Sequence, residues 1–303
     1  MAKKKPISSK GMENELRKLY DLIEGQNFES AEEMQAFLNQ MVGQKIDDIL
    51  PKGKPDKREE SMDLVYDAYE TTPEKGKKLV KKALDLDPDN PEAYHYLGLV
   101  EKDMNKSLAL FEKAMTLAKN EIGEKEFEEL KGHFWGFHET RPYMRAKASY
   151  AEALFLVGRI DESLQQFGEM IALNPNDNQG VRYQYAALLV QFGKWKEFEK
   201  LRKEYSDEGS ALWLFTEALY LFKKEGNSAK AVKALTKANK ANTHVIPYMV
   251  REKIISLDLP DHYSFGDENE GVIYLKYALE AWITTEGALL WLGDFYWKQK
   301  KAN

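Results

Sequence analysis

The stretch Met144–Pro175, MRAKASYAEALFLVGRIDESLQQFGEMIALNP, decides the fold of this chain. Small and large apolar residues recur in it at helical spacing on both sides of Gly158, which predicts two short helices joined by a tight turn. One such helix pair cannot bury its apolar face alone, because a continuous core forms only when neighbouring pairs stack. The stretch therefore predicts an array of helix pairs, with further copies on both sides.

The spacing within this stretch resembles one tetratricopeptide repeat, whose period is about 34 residues. Six positions carry the resemblance: Ala151, Leu154, Ser163, Phe167, Met170 and Pro175. Gly158 and Gly193 stand in matching turns 35 residues apart, and no segment shows the sustained period-2 alternation of a strand. We therefore predict an all-α fold: a tetratricopeptide-repeat-like α-solenoid, a right-handed superhelix of helix pairs, with a small N-terminal helical hairpin.

Two earlier pairs precede the central repeat, and an insertion separates them from it. Thr72-Pro73 and Asn90-Pro91 are helix-start signals, because proline at the first helical position loses no hydrogen bond. In the second pair the two helices stand about three residues closer than the repeat expects. The prolines that mark the ends of repeats then stand farther apart than whole repeats require. The excess predicts an insertion of about 22 residues at 122–143. We expect its aromatic residues Phe134, Trp135 and Phe137 to plug the gap between repeats.

The domain organisation follows from composition and helix signals. Residues 1–50 are predicted as a tail and helical hairpin, and the Pro-, Gly- and Lys-rich segment 51–58 as a linker. Residues 59–303 are predicted as the helical repeat domain. After Pro247 we expect a helix at Tyr248–Leu257, followed by two terminal helices that cap the stack.

Composition excludes several classes of function. Lys and Arg total 44 against 50 Asp and Glu, a net charge of −6, and no basic stripe is present. We therefore predict no nucleic-acid partner, because phosphate contacts need clustered positive charge. The chain has no cysteine, which excludes disulfides and thiolate chemistry. Neither a signal peptide nor a membrane span is evident, so a cytoplasmic protein without a membrane partner is expected.

Five short segments resemble a group of uncharacterised bacterial tetratricopeptide-repeat proteins. They are Tyr66–Ala68, His133–Gly136, Glu139–Ala146, Asn174–Gly180 and Tyr263–Asp267. The C-terminal part, 241–291, also resembles the eukaryotic suppressor of tumorigenicity 7 family. The resemblance covers about Met62–Trp291 and implies helical repeats that serve protein–protein scaffolding, with no defined activity to transfer.

The expected binding surface is the concave groove, which the first helix of each pair lines in such solenoids. Aromatic and amide side chains there suit an extended peptide, because they combine anchors with hydrogen bonds. The predicted partner is therefore a protein or peptide. The candidate groove residues are His95, Tyr96, Arg145, Ser149, Glu152, Tyr183, Gln184, Gln191, Phe215 and Thr216.

The insertion carries the alternative hypothesis, a metal-dependent enzyme or regulatory module with a site at 131–145. Its candidate residues are Trp135, His138 and Arg141. His133 and His138 with Glu139 are possible metal ligands, but the spacing of five residues differs from that of a helical zinc motif. No phosphate-binding glycine loop or nucleophile elbow is present either. We therefore expect no metal, no cofactor and no catalytic site.

Overall fold

A computed structural model describes residues 9–26, 28–44, 49, 56–254, 259–260 and 262–302 of the chain. Within these ranges the structure is all-helical, with sixteen helices packed neighbour to neighbour and no β-strand. The chain divides into two compact units, Met1–Asn176 and Asp177–Asn303. The helices predicted as one repeat domain are thus shared between two units.

Unit 1 holds nine of the described helices. They are α1 Ser9–Glu24, α2 Ala31–Met41, α3 Lys57–Tyr69, α4 Pro73–Leu86, α5 Pro91–Leu99, α6 Met104–Ile122, α7 Glu124–Glu129, α8 Arg141–Leu156 and α9 Ile160–Leu173. Helices α3 and α4, α5 and α6, and α8 and α9 are the three predicted pairs. The short helix α7 lies within the predicted insertion.

Unit 2 holds the other seven. They are α10 Val181–Gln191, α11 Trp195–Glu204, α12 Ala211–Glu225, α13 Ala229–Ala241, α14 Val245–Met249, α15 Glu268–Ile283 and α16 Ala288–Ala302. Helices α10 and α11, and α12 and α13, are the fourth and fifth predicted pairs. Across the described part of both units, no helix combines the length and apolar character needed to cross a membrane.

Gly158 and Gly193 stand in matching turns between helices, as the sequence predicted, and the two turns have the same hydrogen-bond pattern. Both glycines have positive φ, +79° and +67°. Arg159 N–H donates to the carbonyl of Leu154 at 2.8 Å, and Lys194 N–H donates to that of Leu189 at 2.9 Å. These six-to-one bonds are Schellman motifs, which need glycine because other residues are strained at positive φ.

Hydrogen bonds of two buried serines confirm that the second helix pair is shortened. Ser163 Oγ donates to the carbonyl of Ala151, twelve residues earlier, at 2.7 Å. Ser107 Oγ donates to that of Gly98, nine residues earlier, at 3.0 Å. The same interhelical bond is thus made with three fewer residues in the turn. A Cβ added to Gly98 would lie 2.4 Å from the ring of Phe111, so this crossing requires glycine.

Helix α15 covers the first helices of unit 2. It packs on α10 and α12, and its Tyr274 and Trp282 are fully buried. Trp282 Nε1 donates to Tyr274 Oη at 2.7 Å, so the buried indole keeps a partner. The buried carboxylate of Glu270 accepts from Ala211 N–H at 2.8 Å and from Asn242 Nδ2 at 2.9 Å, and so caps the start of α12.

The N-terminal region packs on the repeats through α1. Helix α1 contacts α3, whereas α2 has no buried residue. Helix α3 begins at Lys57, within the segment predicted as a linker, because Asp56 and Glu59 form a capping box there. Residues 1–8 of the predicted tail and 51–55 of the predicted linker lie outside the described residues.

The helix predicted at Tyr248–Leu257 is wrong in its bounds. The observed helix, α14, is a short segment from Val245 to Met249. The N–H groups of Glu252 and Lys253 both donate to the carbonyl of Pro247, at 2.8 and 3.1 Å, and Arg251 has a φ of +61°. This turn ends the helix early. Residues 255–258 lie outside the described residues.

Candidate functional site

A buried charged network joins the first helices of all three pairs in unit 1. Glu92 and His95 are one turn apart on α5, so they share a face, and Arg145 comes from α8. Arg145 Nε donates to Glu92 Oε1 at 2.9 Å, and a second guanidinium nitrogen bonds the same oxygen. Tyr69 Oη on α3 lies 2.9 Å from His95 Nδ1, and Ser149 Oγ lies 3.0 Å from His95 Nε2. We call these five residues the Glu92–Arg145 network.

The charges in this network stabilise one another. The Glu92 side chain is 1% exposed, and a lone buried carboxylate would be costly. Burial alone would lower the pKa of Arg145, but the carboxylates of Glu92 and Glu13 more than reverse this, so the pKa stays above its ordinary value. Burial, with Glu92 adding to it, raises the pKa of Tyr69. The network is therefore a charged pair with a protonated phenol beside it.

Helix α1 reaches the same network and adds a second ionic contact. Glu13 on α1 pairs with Arg145. One turn further along, Arg17 and Lys18 lie 3.3 and 2.8 Å from the two carboxylate oxygens of Asp63 on α3. Tyr20 then stacks on the ring of His138 with 5.3 Å between centroids. Three successive turns of α1 thus each contact a different part of unit 1.

A cavity of about 340 Å³ lies between α1 and the rest of unit 1. On the α1 side its wall is formed by four residues: Glu13, Leu16, Arg17 and Tyr20. The opposite wall carries six acidic and three arginine side chains besides His138, which gives it an acidic balance. The acidic ones are Asp56, Glu59, Asp87, Glu121, Glu126 and Glu139, and the basic ones are Arg58, Arg141 and Arg145. The cavity therefore suits a peptide with positive charges better than an anion.

Of the three aromatic residues expected to plug the gap between repeats, only Phe134 is fully buried. Phe134 is fully buried and meets the ring of Phe127 at 4.8 Å. Its N–H donates to the carbonyl of Leu173 at 3.2 Å. Trp135 is half-buried beneath the guanidinium of Arg141, which lies 5.5 Å from its ring, and Phe137 is 42% exposed. The expected three-ring plug is therefore correct for Phe134 and wrong for Phe137.

The histidines of the insertion do not share a cluster of ligands. His133 is exposed, whereas His138 is half-buried under Tyr20, with its Nδ1 3.3 Å from Glu139 Oε1. Among the residues that the structure describes, no three His, Cys, Asp or Glu side chains are grouped to hold a metal ion. The metal hypothesis for 131–145 accordingly gains no support from the geometry.

The candidate groove residues fall into four environments. Arg145, His95 and Ser149 meet in the Glu92–Arg145 network, and Glu152 on the same helix is exposed. A second set is buried and cannot contact a ligand without local opening: Tyr96, Tyr183, Phe215 and Thr216. Gln184 and Gln191 of α10 are half-buried.

In unit 2 the predicted groove residues contact the protein's own side chains. Phe215 meets Tyr274 of α15 with 5.5 Å between ring centroids. Tyr183 Oη donates to Glu208 at 2.9 Å, and Arg182 donates to the same oxygen at 2.8 Å. Burial would raise the pKa of Glu208, but hydrogen bonds from Ser210, Arg182 and Tyr183 lower it to about 2.

Sequence reasoning missed Glu13, Asp63, Tyr69 and Glu92 as site residues. Glu92 follows Asn90-Pro91 and resembles an ordinary acidic residue in the first turn of a helix. Its spacing of three residues from His95 was the one available signal, because both then share a helix face. Glu13 and Asp63 carry no local signal, since their partners are distant in sequence.

No model of a protein family matches the chain, and no curated protein matches it at a significant level.

Proposed function

We propose that the protein is a non-enzymatic, tetratricopeptide-like scaffold that binds a peptide or protein segment on the first-helix face of unit 1. The observation that carries this proposal is the cavity of about 340 Å³, whose walls combine charged side chains with Met62 and Tyr66 of α3. Peptide grooves pair apolar anchors with fixed polar groups in this way. The repeated glycine turns and interhelical serine bonds support the tetratricopeptide-like assignment.

The test is a selection of displayed peptides of about 18 residues on the full-length protein. We expect enriched peptides to carry lysine or arginine beside apolar anchors, because the wall opposite α1 has an acidic balance. Their affinities would then be measured by fluorescence polarisation on a wall variant, Glu126→Lys with Glu139→Lys. Both side chains are exposed, so the fold should tolerate the change.

The matched control carries Glu280→Lys with Glu286→Lys, two exposed positions in unit 2. Enriched peptides should bind the wall variant on the order of tenfold more weakly, about 1.4 kcal/mol, and the control as tightly as wild type. Peptides that bind all three proteins equally would refute the proposed site. So would a lack of enrichment on both the wild type and a variant in which α1 is detached, Arg17→Glu with Lys18→Glu.

A further inference from the structure

Helix α1 presents its cavity-facing residues with the spacing of a bound helical ligand. Glu13, Leu16, Arg17 and Tyr20 stand at positions i, i+3, i+4 and i+7, which form one face of a helix. Helices that dock into grooves use this spacing for their anchors. The face that α1 covers belongs to α3 and, through Arg145, to α8, both first helices of pairs.

The fit between α1 and this face is polar and complementary. An acid of α1, Glu13, meets the basic Arg145, and the basic residues Arg17 and Lys18 meet the acidic Asp63 one turn later. Such an arrangement fixes both the register and the direction of a helix, because reversing it would place like charges together. The apolar anchors are shallow by contrast: Leu16 and Tyr20 are 40% and 41% exposed.

We propose that α1 is an internal, displaceable occupant of the binding face, and that the partner is an amphipathic helix that replaces it. This rests on the proposed function of unit 1. The partner helix carries an acid for Arg145, apolar residues three and seven positions on, and a base four positions after the acid for Asp63. Residues 25–56, which include α2, join α1 to α3, so α1 competes as a tethered ligand at high effective concentration.

The first measurement compares α1 in wild type and in the full-length release variant, Arg17→Glu with Lys18→Glu. Both new charges would lie beside the carboxylate of Asp63 and repel it, so α1 should dissociate from α3. We expect hydrogen exchange in residues 11–23 to speed up on the order of tenfold, with exchange in α8 and α9 unchanged. Adding Asp63→Lys to the release variant should restore slow exchange, because the ionic contacts are then re-formed with opposite signs.

The second measurement adds a fluorescein-labelled peptide with the sequence of residues 9–26 to each full-length protein. It should bind the release variant on the order of tenfold or more tightly than wild type, where α1 holds the site closed. The same peptide with Arg17→Glu and Lys18→Glu should bind the release variant on the order of tenfold more weakly than the native peptide. A control protein with Lys200→Glu and Lys233→Glu, both exposed in unit 2, should behave as wild type.

The outcomes separate this inference from the proposed function. Selected peptides that bind wild type and the release variant equally would show that α1 is a fixed wall, which overturns the inference and leaves the scaffold function standing. Exchange in α1 that does not change in the release variant overturns it as well. If the native peptide binds only the release variant and the triple variant loses that binding, the displaceable helix is established.

Discussion

Helices α1 and α15 each lie on first helices of their own unit, but they are held very differently. Helix α15 buries eight residues, among them Tyr274 and Trp282, and its Glu270 caps α12. None of the described side chains of α1 is fully buried, and the helix borders a cavity. Since burial of apolar area is the main stabilising term in folding, α15 is part of the core and α1 is a docked element. The first-helix face is thus covered by a core helix in unit 2, and by a weakly buried helix that borders a cavity in unit 1.

The largest expected effect tests whether α15 belongs to the core. Trp282 is fully buried and contacts Tyr274 and Trp291, so Trp282→Ala should lower the free energy of unfolding of unit 2 by about 3–5 kcal/mol. Equilibrium denaturation would measure this, with Trp297→Ala at a 46% exposed position as the matched control. A loss below about 1 kcal/mol would show that α15 is as loosely held as α1.

The second prediction tests whether loose packing in unit 1 is confined to α1. Phe134 is fully buried against Phe127 and Tyr143, so Phe134→Ala should cost about 3–4 kcal/mol. Trp135→Ala should cost about 1–2 kcal/mol, because that ring is half-buried and mainly loses its contact with Arg141. Urea unfolding of both variants would decide the order. Equal costs, or a larger cost for Trp135, would contradict the structure.

Sequence alone predicted the helix pairs because their determinants are local. The glycine turns, proline starts and the three-residue shortening of the second pair all follow from residues within one pair. The ionic contacts of α1 could not be predicted in the same way. Glu13 lies 132 residues from Arg145, so no local pattern connects them. Helical periodicity shows which face of a helix is apolar, but it does not show which other helix packs on that face. For the same reason the sequence placed Phe215 in an open groove, although α15 covers it.

Within the insertion, composition predicted an aromatic anchor but could not tell which of the three rings is buried. Three neighbouring aromatic residues look equivalent in sequence, yet a loop without helical periodicity gives no rule for which ring points inward. The backbone decides it here, since Gly132 N–H and Phe134 N–H both donate to the carbonyl of Leu173. That attachment accompanies the burial of Phe134, while Phe137 stays exposed.

The third prediction concerns the polar contacts that hold unit 2. The pKa of Glu208 is lowered to about 2 from an ordinary 4.5, so its stabilising contribution is present above pH 4.5 and is lost as the pH falls toward 2. Glu208→Gln should therefore cost about 1.5–3 kcal/mol at pH 7 and progressively less below pH 4.5. Urea unfolding between pH 2 and 7 would measure this, with the exposed Glu286→Gln as control. A cost that does not change with pH would contradict the ionised contact.

The smallest expected effect compares one leucine from each covering helix. Leu16 of α1 is 40% exposed and Leu275 of α15 is 3% exposed. Leu275→Ala should cost about 2–4 kcal/mol in global stability, as buried leucines do, whereas Leu16→Ala should cost under about 1 kcal/mol. The loss at Leu16 should appear instead as faster hydrogen exchange confined to α1, because a docked helix opens without unfolding the unit beneath it. A global loss above about 2 kcal/mol for Leu16→Ala would mean that α1 is built into the core of unit 1. In that case α1 could dissociate only when unit 1 unfolds, and no partner helix of ordinary affinity could displace it.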